Sequence, residues 1–347
     1  MSGGPAQRPD PAAPLTQRVF AALADGAVHS GEALAATAGV TRSAVWKAIE
    51  TLRADGLAIE AATNRGYRLA ASCEALDAAA LRAALSPQAA PRLRRLEVVW
   101  ETGSTNADLL AAAAPPVGSW DALLAENQRG GRGRRGRSWR AALGDSLCLS
   151  LVTAFEPLPR DLSAATLVVG VCVLRALRAR GAAGLALKWP NDLVAVAADG
   201  ALAKLGGILV ELRAEAGSPA QIVVGIGLNL RAPAALASAL AAQTDGGALP
   251  PAGLDRLGVA VGARNAIAAA VISHCIEGLQ QFVDAGFAPF REPWRAADAL
   301  RDRPVRAQGG AAPREGVARG IDDSGALVLE DAAGMRHALV AGEVSVR

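Results

Sequence analysis

Residues 130–137 of this chain are four glycines and four arginines and nothing else. Neither a helix nor a strand tolerates such a run. Glycine has the most backbone freedom to lose on ordering, and neighbouring guanidinium groups repel one another until an anion arrives. The segment is therefore a loop, expected to be mobile in the free protein and to order on a ligand. Guanidinium forks beside glycine amides suit phosphate. An arginine-glycine nucleic-acid tract is the rival reading, but this run is short and has strand-like sequence on both sides. The clustering matters because the whole chain is nearly neutral: 36 Lys+Arg against 33 Asp+Glu in 347 residues. That balance does not by itself mark a nucleic-acid binder.

The length points to two or three domains. Half the residues are apolar and only 3% aromatic, so the core is built from small side chains and Leu, Val and Ile. Cys73, Cys148, Cys172 and Cys275 are scattered, without a CxxC or a His/Cys cluster. Neither a zinc site nor a disulfide framework is expected, and buried thiols in a reducing cytoplasm are the reading. The uncharged runs, such as the one ending at Leu174, are shorter than the roughly 18–20 residues of a membrane span. The N-terminus lacks the apolar core of a signal peptide and reads as a disordered tail over 1–14. A cytoplasmic protein without membrane contact is expected.

From Thr16 to Leu69 the pattern becomes short helices with sharp punctuation. Leu15, Val19, Phe20 and Leu23 form one apolar face, ending at Asp25-Gly26. Ser30 is placed to cap a second helix that Gly39 closes, and Thr41 to cap a third. Val45, Ala48, Ile49 and Leu52 make the apolar stripe of that third helix, and Arg42, Ser43, Trp46, Lys47, Glu50 and Arg53 its other face. Two extended runs follow, joined by a turn containing Asn64, Arg65 and Gly66. Three helices and a hairpin are the order of a winged helix-turn-helix. Its third helix would enter the major groove with Arg42, Ser43, Trp46 and Lys47, and Arg65 on the wing would approach the backbone. A solvated charged face is the plainer alternative. Because a single head offers little contact area, a dimer on a two-fold operator is expected.

Residues 71–95 read as a connector with one short amphipathic helix. From Leu96 strands and helices alternate over about 200 residues, with strands at 96–100, 122–125, 146–153, 185–188, 208–212 and 222–230 and long helices at 163–180 and 263–284. Besides the Gly-Arg loop, two features here carry chemistry. Lys188-Trp189-Pro190-Asn191-Asp192 puts a lysine, an amide and a carboxylate in five residues at a strand end, although turns of this composition are common. Lys204 precedes Gly206-Gly207 and an apolar strand, and reads either as a fixed cation or as a strand-edge lysine. The glycines of Gly225-Ile226-Gly227-Leu228-Asn229 could admit a ligand, a weak signal alone.

Taken together and in this order, GRGRRG, KWPND, KLGGILVEL from Lys204 and GIGLN resemble the biotin protein ligases, and the winged helix ahead of them resembles the class that also represses the biotin operon. The resemblance runs from about Thr16 to Arg347. It implies an α+β multi-domain protein: a winged helix-turn-helix head over 15–70, a linker over 71–95, a central α/β domain of the biotin/lipoate ligase type over 96–300, and a C-terminal SH3-like small β-barrel over 301–347. It further implies ATP-dependent activation of biotin to biotinyl-5′-AMP and transfer to a lysine of the biotin carboxyl carrier domain of acetyl-CoA carboxylase. Mg²⁺ is implied as the companion of ATP, with no separate metal site, and biotinyl-AMP is the implied corepressor that favours a homodimer on operator DNA.

Residue by residue, the resemblance assigns biotin to Ser104, Thr105, Asn106, Gln128, Arg132, Gly133, Arg134 and Lys204. It assigns the nucleotide to Gly131, Arg135, Trp139, Asn191, Asp192 and Asn229, and catalytic charge to Lys204, Arg132, Arg134 and Lys188. Gly103 stands where the family often has Asp, which weakens helix capping there. Two other readings stay open: a ligand-sensing repressor without ligase activity, and a ligase with a vestigial head. A lipoate or octanoate transferase shares the implied catalytic fold but would lack the head and the GRGRRG loop.

Overall fold

The computed structural model describes residues 12–63, 65–71, 73–215, 217–232, 249–308 and 313–346. Most of the expected N-terminal tail and Asn64 of the expected wing turn lie outside the described residues.

The head contains α1 (Leu15–Leu23), α2 (Gly31–Ala38) and α3 (Arg42–Ala54), then the hairpin β1 (Ile59–Ala62) and β2 (Gly66–Leu69). The local signals act as read. Ser30 Oγ accepts from Ala33 N, Thr41 Oγ1 accepts from Ala44 N, and Gly39 ends α2 at φ +64°. These caps satisfy amides that an open helix end leaves without partners, while a residue with a Cβ is strained at that φ. Val45, Ala48, Ile49 and Leu52 are buried against Val19, Phe20 and Leu23. Arg42, Ser43, Trp46 and Lys47 are exposed on the other side of α3, as is Arg65 on the wing. Glu50 and Arg53 leave that outward face: they pair at 2.7 Å, and the Arg53 guanidinium donates to Ile59 O.

After α4 (Ala78–Ala83) the central sheet is built from β3 (Leu93–Thr102), β4 (Trp120–Gln128), β5 (Ser146–Phe155), β6 (Leu185–Lys188), β7 (Asp192–Val196), β8 (Leu202–Arg213) and β9 (Ala220–Asn229), in the order β3-β4-β5-β9-β8-β7-β6. Only β3 and β4 pair in parallel among these neighbours. The strand β7 had no counterpart in the sequence reading; Lys188–Asp192 lies at the end of β6, as expected, and turns a tight hairpin into β7. The segment 93–95, read as connector, is the start of β3. Helices α5 (Thr105–Ala111), α6 (Ala165–Arg178), α7 (Arg264–Ala285) and α8 (Ala288–Arg295) cover the sheet unequally. The main core, which α6, α7 and α8 share, takes Leu147, Leu149 and Leu151 from β5 and Val224, Ile226 and Leu228 from β9. Side chains alternate across a strand, so Cys148, Ser150, Gly225 and Gly227 face the other side, where the short α5 packs over Leu123, Val152 and Val223 and leaves the rest open. That open half-face is where the site lies. Helix α7 is long and apolar enough to cross a membrane by length and composition alone, but it is mostly buried within the fold.

Strands β10 (Pro304–Gln308), β11 (Arg314–Ile321), β12 (Leu327–Glu330), β13 (Arg336–Leu339) and β14 (Glu343–Val346) form a separate antiparallel sheet, in the order β13-β12-β11-β10-β14. It is joined to the ligase unit where Trp189 Nε1 donates to Gly325 O at 3.1 Å. All four cysteines are buried and free. Burial pushes the Cys148 and Cys172 thiols up to about 12, so they stay protonated and inert.

A fully buried ion pair stitches the segment after the head to the sheet. Arg264 Nη1 donates to Glu126 Oε2 at 2.7 Å and to Glu74 O at 2.9 Å, and Nη2 to Ser146 O at 3.2 Å. Removing one partner strands a buried charge, which costs more than the intact pair contributes. Glu126→Ala is expected to destabilise the protein by roughly 3 kcal/mol in urea unfolding; an unchanged midpoint would contradict this account.

Candidate active site

The side chains of the open half-face are held by a hydrogen-bonded series from three elements. Ser104 is the N-cap of α5 and accepts from Ala107 N, so the cap comes from Ser104 itself and Gly103 is not needed for it. Thr105 N donates to Gln128 Oε1 at 3.0 Å at the end of β4. Thr105 Oγ1 lies 2.7 Å from Ser150 Oγ, and Ser150 Oγ donates to Asn106 Oδ1 at 2.6 Å. Asn106 Nδ2 donates to Glu211 Oε2 at 2.9 Å. Ser104, Thr105 and Asn106 are all nearly inaccessible to solvent.

The Gly-Arg loop closes over this floor. Its course is set by backbone hydrogen bonds, Gly133 N to Arg137 O at 2.7 Å and Trp139 N to Gly131 O at 2.8 Å. Its charge is partly met by distant carboxylates: Arg132 Nη2 donates to Glu211 Oε2 at 3.0 Å, and Arg137 pairs with Glu343 of β14. Partners far along the chain thus supply counter-charge that the arginine run itself lacks. Arg134 still has its pKa lowered, by burial and then by Arg135, against the pull of Asp192 and Glu343.

Opposite the loop, Asp192 lies between two lysines, with Lys204 Nζ at 2.7 Å and Lys188 Nζ at 3.7 Å. Lys188 is buried, and that desolvation pushes its pKa down despite Asp192, with Lys204 adding to the fall. Asn191 Nδ2 donates to Ile208 O at 2.9 Å, fixing the hairpin against β8.

One cleft brings together Ser104, Thr105, Asn106, Gln128 and Trp139 with Arg132, Gly133, Arg134 and Arg135 of the loop, and with Lys188, Asn191, Asp192 and Lys204. Two residues expected to touch the nucleotide do not line it. Gly131 sits behind the loop, where a Cβ would come within 2.4 Å of Trp139 O. Asn229 is buried and donates to Lys204 O, supporting the lysine from behind. The glycines of GIGLN make room for the chain's own side chains: a Cβ at Gly225 would meet Asn106 Oδ1 at 2.3 Å, and one at Gly227 the Trp139 indole at 2.5 Å. Ser150, Glu211, and Gly342 and Glu343 of the C-terminal sheet were not singled out by sequence. An alternating strand pattern gave the only hint of Ser150, and nothing local marked Glu343. Among the described residues no three His, Cys, Asp or Glu side chains cluster as metal ligands.

The fold and cleft define a three-unit enzyme: an α/β domain with a polycationic pocket, preceded by a helix-turn-helix head and followed by a small antiparallel sheet that lends Glu343 to the pocket. Comparisons agree. The profile of the biotin/lipoate A/B protein ligase family matches residues 112–229, an HTH domain profile residues 19–68, and the biotin protein ligase C-terminal domain profile residues 302–347. The bifunctional ligase/repressor BirA of Salmonella typhimurium is 35% identical over 97% of this chain and 98% of its own. The biotin–[acetyl-CoA-carboxylase] ligase of Paracoccus denitrificans is 38% identical over 70% of this chain and 97% of its own. A biotin protein ligase from Aquifex aeolicus, solved with biotin and ATP, shares the fold at a TM-score of 0.59 with 24% identity, covering 73% of this chain and 99% of that one. The chain belongs to the biotin protein ligase family, in its bifunctional class that joins the ligase to a DNA-binding repressor head.

The Lys188–Asp192–Lys204 cluster predicts a pH dependence. The folded pKa of Lys188 lies below its unfolded value, so between the two the unfolded chain binds more protons and stability rises with pH. Removing the carboxylate lowers the folded value further. The destabilisation caused by Asp192→Asn is therefore expected to be largest near neutral pH and to shrink as pH approaches the ordinary lysine range. Denaturant titrations at both ends check this, and a cost independent of pH would contradict it.

Proposed function

We propose that this cleft binds biotin and ATP with its Mg²⁺, joins them as biotinyl-5′-AMP, and passes biotin to a lysine of the carrier domain of acetyl-CoA carboxylase. The observation that carries this reading is the convergence of Ser104–Asn106, the Gly-Arg loop, the Lys188–Asp192 hairpin and Lys204 on one pocket.

A carboxylate is a poor acyl donor. Attack of a biotin carboxylate oxygen on the α-phosphorus, with pyrophosphate leaving, brings two anions together and needs fixed positive charge. Lys204, Lys188, Arg132 and Arg134 surround the pocket with that charge, and it is already assembled before substrate arrives. Incoming anions compete with Asp192, Glu211 and Glu343 for these cations, so binding exchanges internal partners for substrate ones. The hydroxyl and amide series of Ser104, Thr105, Asn106 and Gln128 suits the polar head of biotin at the other end. Trp139, against Gly227, offers a flat face for the adenine. Mg²⁺ enters with the nucleotide and shares the charge of its phosphates, with Asp192 at hand. In the second step the carrier lysine amine attacks the anhydride carbonyl and AMP leaves, driven mainly by proximity. Closure of the loop excludes water.

The head binds operator DNA through Arg42, Ser43, Trp46, Lys47 and Arg65, as a cytoplasmic homodimer that the adenylate favours. A physical link supports this coupling. Arg129, next to the Gly-Arg loop, reaches Asp55 at the end of α3 at 3.0 Å, while its Nε donates to Glu101 at 2.9 Å. The domain limits proposed above follow the same division, except that the connector ends where β3 begins.

Incubation with ATP, biotin and a carrier domain is expected to give covalent biotin on the carrier. Lys204→Ala is expected to lower pyrophosphate release by about a hundredfold or more, in line with the loss of one preorganised electrostatic contact; undiminished release would sink the assignment. Operator affinity is expected to rise when biotinyl-AMP is added, and equal affinity with and without it would sink the repressor half.

A further inference from the structure

Glu211, the acid of the KLGGILVEL stretch, has no role assigned above, and it stands at the acceptor end of the hydrogen-bonded series. A single oxygen, Oε2, accepts from Asn106 Nδ2 at 2.9 Å and from Arg132 Nη2 at 3.0 Å. We propose that Glu211 is a positioning residue that sets the donor–acceptor polarity of the biotin pocket, and thereby its selectivity for a cyclic urea. This rests on the reading of the pocket as a biotin site.

A carboxylate only accepts hydrogen bonds. Asn106 must therefore turn its NH₂ toward Glu211, the shorter of its two acceptors, with Leu209 O at 3.3 Å taking the same nitrogen, and its Oδ1 toward Ser150. Ser150 Oγ, 2.6 Å from that oxygen, donates its single proton to it. Its lone pairs are then left for Thr105 Oγ1 at 2.7 Å, which donates in turn. Gln128 Oε1 lies 3.2 Å from the same hydroxyl and 3.0 Å from the Thr105 backbone N–H; with the hydroxyl proton on the shorter contact to Ser150, the backbone N–H holds that oxygen and turns the Gln128 NH₂ away from Thr105. The series thus presents hydroxyl lone pairs beside an amide donor. A ureido group has the matching set, two N–H donors and one carbonyl acceptor.

Two features keep the polarity from reversing. Gly225 lies directly under Asn106, where a Cβ would be 2.3 Å from Oδ1, so the amide is confined in its slot. Thr105, Asn106 and Ser150 are almost completely buried, so water cannot satisfy a flipped arrangement. Arg132 shares the same oxygen from the solvent side and is free to leave for an incoming anion without disturbing Asn106.

The test uses the full chain and biotin itself. Glu211→Gln has nearly the same shape but can donate, which allows the amide of Asn106 to turn over. It is expected to weaken biotin binding at least tenfold in calorimetry. In steady-state kinetics the loss should fall on KM for biotin, with KM for ATP changed less than threefold. Glu211→Asp, still an acceptor only, should recover part of the affinity. Ser150→Ala breaks the series further along and should also weaken biotin, and the double variant should be little worse than the poorer single one, because both interrupt one series. Losses that multiply would mean independent local damage and overturn the proposal, as would a biotin Kd within threefold of the parent in Glu211→Gln. Should Glu211→Gln fail to fold, Ser150→Ala decides alone by the same threshold. A parent protein that binds no biotin would instead overturn the site assignment on which the proposal rests.

Discussion

Six cationic side chains share one cleft, and the problem of holding them together shapes much of the fold. Arg132, Arg134, Arg135 and Arg137 come from one loop, Lys188 from a hairpin and Lys204 from β8. At such separations like charges repel strongly in a partly dehydrated site. Three carboxylates offset this, each delivered by a different element: Asp192 beside both lysines, Glu211 of β8 beside Arg132, and Glu343 of the C-terminal sheet beside Arg137. Six cations against three carboxylates leave a positive excess, and burial, with Lys204 and Arg135 adding to it, holds the Lys188 and Arg134 pKa values down. That residual positive charge is what an anionic substrate meets. A cleft with every cation fully paired would bind phosphate poorly; one with none paired would cost more stability than a marginally stable fold can lose.

The division of the sheet explains why the site has room to exist. Strands β5 and β9 send Leu, Val and Ile to the face covered by α6, α7 and α8, and on the other face carry Val152 and Val223 under α5 but only Cys148, Ser150, Gly225 and Gly227 where it lies open. Because β9 carries glycine at two such positions, the Asn106 amide and the Trp139 ring lie directly on the backbone. The polar floor is thus set by the absence of side chains as much as by their presence.

Much of this was legible in the residues, and what was not has a common cause. Caps and local periodicity gave the head almost intact, since Ser30, Thr41 and Gly39 act over three or four residues. The cluster of Lys188, Asn191 and Asp192 was visible because five consecutive residues hold it. The contact of Arg53 with the Ile59 carbonyl was not legible, because that carbonyl belongs to the hairpin and has no sequence signature. The same holds for Glu211 and Glu343, which lie 79 and 206 residues from the arginines they meet and look from sequence like ordinary strand acids. A motif shows which groups are present; the partners that tune them are set by topology.

The contact between head and loop is where the two activities meet physically. Asp55 ends the helix that bears Arg42, Trp46 and Lys47, and Arg129 stands one residue before the Gly-Arg loop. Glu101 of β3 competes for the same guanidinium, so Arg129 bridges head and sheet instead of belonging to either. Phe20 of α1 packs on Trp100 of β3 with ring centroids 5.6 Å apart and adds an apolar contact to the same seam. A ligand that redraws the loop must act on Arg129 through the chain itself. Any change there reaches Asp55 through hydrogen bonds, without a long relay of packed side chains, and coupling of this kind is reciprocal. A shift of the head that moves Asp55 is in turn felt by Arg129 and by the loop that follows it.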